Sequence, residues 1–469
     1  MIIPKVAVCP ICGKKTYLRI QDGGYLNEYP IRVYCMNCRA LIKGTYIMDS
    51  RSPYRGLHLW NADVEECETD GKSQKIFNAD YVVEISGELP CNKVHIFDGN
   101  FIYTSPYLDA SDNVDILERK ERLSGFASSM REWARSKSIA FQLLDEGSIE
   151  YIATALKNKM GEYDYQCDHY LKSLRCLQEV VLEETKYLFV EPEQDILILE
   201  LLKELSQVEY ASLHRLIERM GGVSGLILAY RKAIEVFSDF MRIYPNLLPA
   251  ETYMRFKDKS RNDVGIATCS FGDIKTFYQD AYESLLSLLY VPVCLDNIIV
   301  RGDYKIFNEN FEKLFKQKRF TDLEDDFMRY QVLDNGMKLN KIQTAEIMQK
   351  TIEIPANKFL RNGIGHNNIK YDGITQKVSA FSQKEHNKAV FETSLMDMSV
   401  ECIGLAKSSV LIAEILLFMI SKELRQEGVH SIMHPRFYVN AEPNSKCPCG
   451  SNYKYKKCCR LDVERITRC

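Results

Sequence analysis

Apolar and polar positions alternate in two short segments near the start of the chain, Tyr17-Leu-Arg-Ile20 and Ile31-Arg-Val-Tyr34. A period of two is that of a half-buried strand, and the pair reads as the arms of a β-hairpin. Strand-like runs recur at Tyr81–Ile85, Lys93–Phe97 and Phe101–Tyr103, punctuated by Gly87, Pro90 and Gly99, and predict a small β extension. From residue 113 to 425 the period lengthens to that of amphipathic helices, and β-branched alternation nearly vanishes. Leu117, Leu123 and Phe126 begin one helix, Asp195–Leu202 lies on another, and Phe237, Phe240, Met241 and Ile243 lie on a third. Loop composition at Lys257–Asp263 and Ser270–Gly272 divides this stretch. Asp273 then reads as the N-cap of a helix with Phe277, Ala281, Leu285 and Leu288 on one face. Further helices are predicted within 308–332 and 342–360, and a long final one from Glu392 to Leu424. The expected class is mainly α: a helical bundle preceded by a small β module.

Composition changes this picture little. The chain of 469 residues is 46% hydrophobic and 27% charged, as globular proteins are. Met1–Lys5 lacks the charged and apolar regions of a signal peptide. The apolar stretch Val410–Ile420 is interrupted by Glu414 and is about half the ~20 residues that span a bilayer, so no membrane segment is expected. Sixteen cysteines without a secretion signal point to metal sites and free thiols rather than disulfides, and to a cytoplasmic protein. Charge is uneven. Residues 1–60 carry nine Lys and Arg against three Asp and Glu, and residues 445–469 seven against two, so with the whole chain at −3 the remainder carries −14. Basic ends suit phosphate contact; equally, lysines beside thiolates offset sulfur charge.

The cysteines then supply chemistry. Cys9-Pro-Ile-Cys12-Gly and Cys35-Met-Asn-Cys38-Arg are two Cys-x2-Cys knuckles 22 residues apart, and four soft thiolates suit tetrahedral zinc. Pro10 and Gly13 provide the turn of the first. Near the end, Cys447-Pro-Cys449-Gly precedes Cys458-Cys459 by eight residues. Two structural Zn2+ ions are therefore expected, at Cys9, Cys12, Cys35 and Cys38, and at Cys447, Cys449, Cys458 and Cys459. The first module resembles the zinc-ribbon family of restriction alleviation proteins, in which a helix ending in Trp-Asn follows; Leu57-His-Leu-Trp60-Asn61 takes that place. His58 reads as a surface or packing residue. The second resembles the SEC-C motif, a zinc knuckle that ends the preprotein translocase ATPase. Asn452 stands where that family usually has Gly, and Tyr453 where it usually has Lys. Lys454, Lys456, Lys457 and Arg460 suit RNA or ribosome contact, while Tyr453 and Tyr455 either stack on bases or cover the metal. His430 and His434, beside Pro435 and far in sequence from other ligands, read as no metal site. Cys67 and Cys91 read as packing residues, and Cys469 as a terminal free thiol.

One motif lies in the helical block: Phe359-Leu-Arg361-Asn362-Gly363-Ile-Gly365-His366, followed by Tyr371-Asp372. RNA is cut without a metal when its own 2′-hydroxyl attacks the adjacent phosphate, and a histidine with a pKa near ~6.5 moves the protons. A permanently charged arginine clamps the phosphate. Gly363 and Gly365 disfavour regular helix and predict a break that turns both side chains into one cleft. The segment resembles the HEPN family, helical domains that are often ribonucleases, whose motif is Arg, four to six residues, then His. That resemblance covers residues 273–424 and implies a metal-independent endoribonuclease with Arg361, His366 and Asn362 catalytic. It also implies a homodimer with a composite site acting on RNA, and a role as a toxin or antiviral effector. The expected domains are 1–108, zinc ribbon with β extension; 109–258, helical scaffold or sensor; 259–430, HEPN-like; and 440–469, the SEC-C tail. The competing expectation is a non-catalytic adaptor in which Arg361 and His366 are structural.

Overall fold

The computed structural model describes residues 1–24, 26–68, 78–99, 133, 137–138, 140–156, 169–185, 193–256, 264–342, 357–382 and 388–467. The expected strand at Phe101–Tyr103, the helix begun by Leu117, and Cys469 lie outside them. About half of the chain is helical, with a β region at its N-terminus. Two compact units are each assembled from three stretches. The first takes Met1–Ser128, Asp239–Gln279 and Asn357–Ile403; the second takes Ser129–Ser238, Asp280–Ala356 and Gly404–Cys469. This differs from the consecutive domains expected. The segment bearing Arg361 and His366 belongs to the same unit as the N-terminal ribbon.

In the first unit, β1 (Ile2–Val8) pairs antiparallel with β2 (Lys15–Gln21), and β3 (Glu28–Tyr34) pairs antiparallel with β4 (Leu41–Ile47). The two alternating segments are thus not arms of one hairpin. Each has its own partner, because alternation marks a face and not a neighbour. β2 also runs parallel to β7 (Tyr81–Ile85), with Leu18 opposite Val83. A sheet in the order β6-β1-β2-β7-β8 results, where β6 is Asp63–Glu65 and β8 is His95–Ile96. Leu18, Ile20, Val83 and Ile85 of this sheet share one core with Ile31 and Val33 of β3. On the other face of β2 the buried Arg19 pairs with Glu84. Instead of the helix expected before Trp60-Asn61, β5 (Gly56–Leu59) adds to β4. Asn61 Oδ1 accepts from the Lys43 amide at 2.9 Å, and Arg32 lies 5.2 Å from the centre of the Trp60 ring.

Helices follow: α1 (Tyr170–Thr185), α2 (Glu193–Leu205), α3 (Tyr210–Arg219), α4 (Gly222–Ile243), α5 (Phe271–Leu288), α6 (Tyr290–Arg301), α7 (Lys358–Gly365), α8 (Leu395–Leu424) and α9 (Arg460–Ile466). α5 is capped by Ser270 and not by Asp273: the Ser270 hydroxyl accepts from the Asp273 amide at 3.1 Å and donates to its carboxylate at 2.7 Å. Asp273 is the acidic partner three positions into the helix, which is reciprocal capping. α8 starts at Leu395, not Glu392, with Ser394 and Asp397 repeating that device. Glu392 instead lies on β11 (Ala389–Ser394), which joins β10 (Lys377–Phe381) and β9 (Ile369–Asp372) in an antiparallel sheet. The expected all-helical block therefore contains a three-stranded sheet between α7 and α8. Its strands are too short to declare a period among helices.

Two stretches, Phe271–Arg301 and Leu395–Glu427, are long and apolar enough to cross a membrane, but 67% and 89% of their windows are buried inside the structure, as core helices are. Glu414 explains its own place in α8. In the second unit Arg175 of α1 donates to both its carboxylate oxygens, at 2.6 and 2.8 Å. Glu179, one turn on from Arg175, stands 3.9 Å from the same guanidinium. One arginine cannot neutralise two buried carboxylates, and burial pushes Glu179 up to about 8 from an ordinary 4.5. The fold thus favours the protonated acid. That contribution to stability is complete below about pH 4.5 and is lost as the pH rises through about 8. Glu179→Gln is expected to flatten the fall. Denaturant unfolding at both ends of that window measures it, and equal falls in the two proteins would refute it.

Candidate functional site

The first knuckle is the turn between β1 and β2, and the second the turn between β3 and β4. Both have the same construction. The Cys9 amide donates to the Lys14 carbonyl and the Gly13 amide to the Cys9 carbonyl; Cys35, Ala40 and Arg39 repeat this, with all four bonds between 2.8 and 3.0 Å. Each turn needs a left-handed residue, Gly13 at φ 69° and Arg39 at φ 64°. The hairpin tips bring four sulfurs together, Cys9 to Cys38 at 3.4 Å and Cys12 to Cys35 at 3.6 Å. Hydrogen bonds from Asn37 and the Lys14 backbone hold the Cys12 thiol down at about 6, while burial pushes Cys35 up to about 12. The donor set fits zinc.

The second knuckle is tied to the motif segment within this unit. Arg39 pairs with Asp372 at 3.0 Å, and the Tyr34 and Tyr371 rings meet edge-on at 5.9 Å. Phe271 stacks on the other side of Tyr371 at 4.8 Å. Gln376, left-handed at φ 55°, exchanges two hydrogen bonds with the Ile266 backbone.

α7 carries the motif. Asn357 caps it by accepting from the Leu360 amide at 3.0 Å. The helix runs unbroken through both glycines, contrary to expectation. It ends at His366, with Asn367 at φ 56° and the Asn368 amide bonded to the Gly363 carbonyl at 2.7 Å. This is a Schellman ending, with asparagine in the left-handed position. Arg361 and His366 are therefore about 140° apart around the helix axis. Asn362 connects them: its oxygen accepts from the Arg361 guanidinium at 3.1 Å, and it lies one turn before His366, whose amide bonds its carbonyl at 3.0 Å. Asn362 and His366 are exposed and Arg361 is half-buried.

The glycines serve packing instead. A Cβ on Gly363 would stand 2.8 Å from that of Ala380 on β10, whereas one on Gly365 would meet nothing within 4 Å. Gly363→Ala is expected to lower stability by about 1–3 kcal/mol. Gly365→Ala should raise it by about 0.5–1 kcal/mol. Thermal unfolding separates them, and a neutral Gly363→Ala would contradict the packing argument.

The tail knuckle lies in the second unit. Cys447 donates its amide to the Tyr453 carbonyl at 2.8 Å, and left-handed Gly450 (φ 71°) and Asn452 (φ 63°) shape the loop. Asparagine thus serves where the SEC-C family has glycine. Cys449 stands 3.5 Å from Cys458, which stands 3.7 Å from Cys459. Hydrogen bonds from Cys447 and Cys459 hold Cys458 down at about 4, and those from Cys447, Cys458 and Cys459 lower Cys449, while the same network raises Cys447 and Cys459. His430 joins this cluster, which corrects its expected reading: its Nε2 lies 3.6 Å from Cys458 and 3.4 Å from Cys459. It is far along the chain and near in the fold, so no local signal marks it. His434 does not join; its Nδ1 accepts from the Arg436 amide at 3.2 Å. Tyr455 is buried and stacks on Tyr438 at 5.6 Å, while Tyr453 is 60% exposed among Lys454, Lys456 and Lys457. Arg460 pairs with Glu464 at 2.7 Å.

A comparison of the chain with family models finds no match, and neither curated proteins nor solved structures provide one.

Proposed function

We propose that the protein is a metal-independent endoribonuclease of HEPN type that acts as a homodimer, with both zinc centres structural. The observation that carries this reading is the Arg361-Asn362-His366 array on the surface of α7. Exposed His366 is free to exchange a proton with a bound strand. Arg361 supplies charge for a phosphate and Asn362 holds its guanidinium. In the reaction the ribose 2′-hydroxyl gives its proton to His366 as it attacks phosphorus, the bond to the 5′-oxygen breaks, and that oxygen takes the proton from the imidazolium and leaves as a hydroxyl. The products are a 2′,3′-cyclic phosphate and a 5′-hydroxyl end. With Arg361 and His366 on different sides of one helix, a second copy would complete the constellation around one phosphate.

A toxin or antiviral role in the cytoplasm follows from the same family resemblance. The exposed Tyr453, Lys454, Lys456 and Lys457 favour the second reading, an adaptor that grips RNA or the ribosome through its tail. Incubation with structured and single-stranded RNA in magnesium-free buffer, with end analysis of the fragments, tests the proposal. Cyclic phosphate ends are the expected result. RNA bound but left intact, also when the protein is expressed in cells under phage challenge, would replace the enzyme with the adaptor.

A further inference from the structure

We propose that His214 and Glu218 of α3 and Glu423 of α8 form a third metal centre, a site for a divalent cation of the Mn2+ class that joins the two helices. It lies in the second unit and uses no cysteine and none of the residues assigned to RNA cleavage, so it goes beyond that reading. His214 and Glu218 are four positions apart and share one face of α3. His214 Nδ1 stands 2.8 Å from Glu423 Oε1. At bond lengths of about 2.0–2.2 Å, neighbouring ligands of an octahedral ion stand about 2.8–3.1 Å apart. The donor atoms of all three residues lie within 4.8 Å of one another. Glu218 is exposed, so its carboxylate has the freedom to close on the ion. One imidazole and two carboxylates suit a hard to borderline cation that keeps water in its remaining positions.

The surroundings orient these ligands and concentrate negative charge. The Tyr210 hydroxyl donates to Glu423 Oε2 at 3.3 Å, which leaves Oε1 toward His214. The Tyr210 ring also stacks on the imidazole, with centroids 5.7 Å apart. Outer contacts of this kind fix the direction of metal ligands. Partial burial and the charges of Glu423, Glu427 and Glu218 raise the Tyr210 phenol, so it stays a donor while three carboxylates converge on it. The arginines of α3 face other acids, Arg215 at 3.6 Å from Asp303 and Arg219 at 3.6 Å from Asp325. Three carboxylates around one imidazole thus leave an excess of negative charge, which a divalent ion offsets.

Electron paramagnetic resonance of the full chain titrated with Mn2+, after both cysteine centres are filled with zinc, tests this. Thiolate sites hold zinc in preference to Mn2+, so Mn2+ reports on the remaining donors. Wild type should bind one Mn2+ per chain and show spin-echo modulation from an imidazole nitrogen. His214→Ala should abolish that modulation. Tyr210→Phe should weaken binding about 10-fold, and Glu423→Gln should weaken it further. Saturating Mn2+ should raise the unfolding temperature of wild type but not of Glu423→Gln. The readout needs no RNA, so it fails or succeeds separately from the cleavage proposal. Absence of bound Mn2+ would reduce the cluster to a hydrogen bond, and Mn2+ bound without nitrogen modulation would be an ion held by other carboxylates. Either result overturns the assignment, as does modulation that survives in His214→Ala.

Discussion

His366→Ala is expected to lower RNA cleavage in magnesium-free buffer by about 10²–10⁴-fold, the usual contribution of a positioned acid–base group. Arg361→Ala should cost about 10²–10³-fold, as loss of one stabiliser of developing charge does. His366 is exposed at the end of α7, and the turn after it is set by the backbone of Asn367 and Asn368, so its removal should leave the fold intact. Asn362→Ala should fall between wild type and Arg361→Ala, since it removes one partner of the guanidinium without removing its charge. Each variant must keep the zinc content and association state of wild type for the comparison to hold. Cleavage that survives in both the arginine and the histidine variant places the chemistry elsewhere.

The second large effect is at the other end of the sequence. Cys35→Ser should reduce bound zinc from two ions to one and unfold the ribbon, because structural zinc contributes about 10–16 kcal/mol in small metal modules, against a total stability of about 5–15 kcal/mol for a domain. The loss should reach the motif. Tyr34 and Arg39 flank the second knuckle and contact Tyr371 and Asp372, five and six residues after His366. RNA cleavage should therefore disappear together with the near-ultraviolet signal of the tyrosines, although the proposed chemistry uses no cysteine. For the same reason a chelator would mimic a metal requirement. A Cys35→Ser protein that lacks the first zinc and still cuts at the wild-type rate would dissociate ribbon from site.

Features written in short stretches were legible in the sequence. Both knuckles follow from thiolate pairs at fixed spacing, because the turn that gathers a pair is local. The left-handed tolerance of Asn452 was legible for the same reason, and so was the strand Tyr81–Ile85 from its run of strand-forming residues. The Arg-Asn-x3-His segment could be singled out as chemistry, but the course of its helix could not. Glycine propensity argues for a break, while packing against Ala380 and a Schellman ending keep α7 whole as far as His366.

What only the tertiary structure decided has a common cause: it depends on contacts between residues far apart in sequence. A strand pattern carries no name of its partner, so β2 and β3 went to separate hairpins. Interleaved units place the ribbon with the motif segment, and no composition shift reports that. Glu414 interrupts an apolar run for the sake of Arg175, 239 positions away. His430 enters a cysteine cluster 28 and 29 positions on, with Asp462 behind it. The sequence by itself determined which residues can bind metal or move a proton; folding alone determined which of them meet, because side-chain chemistry is local and proximity is not.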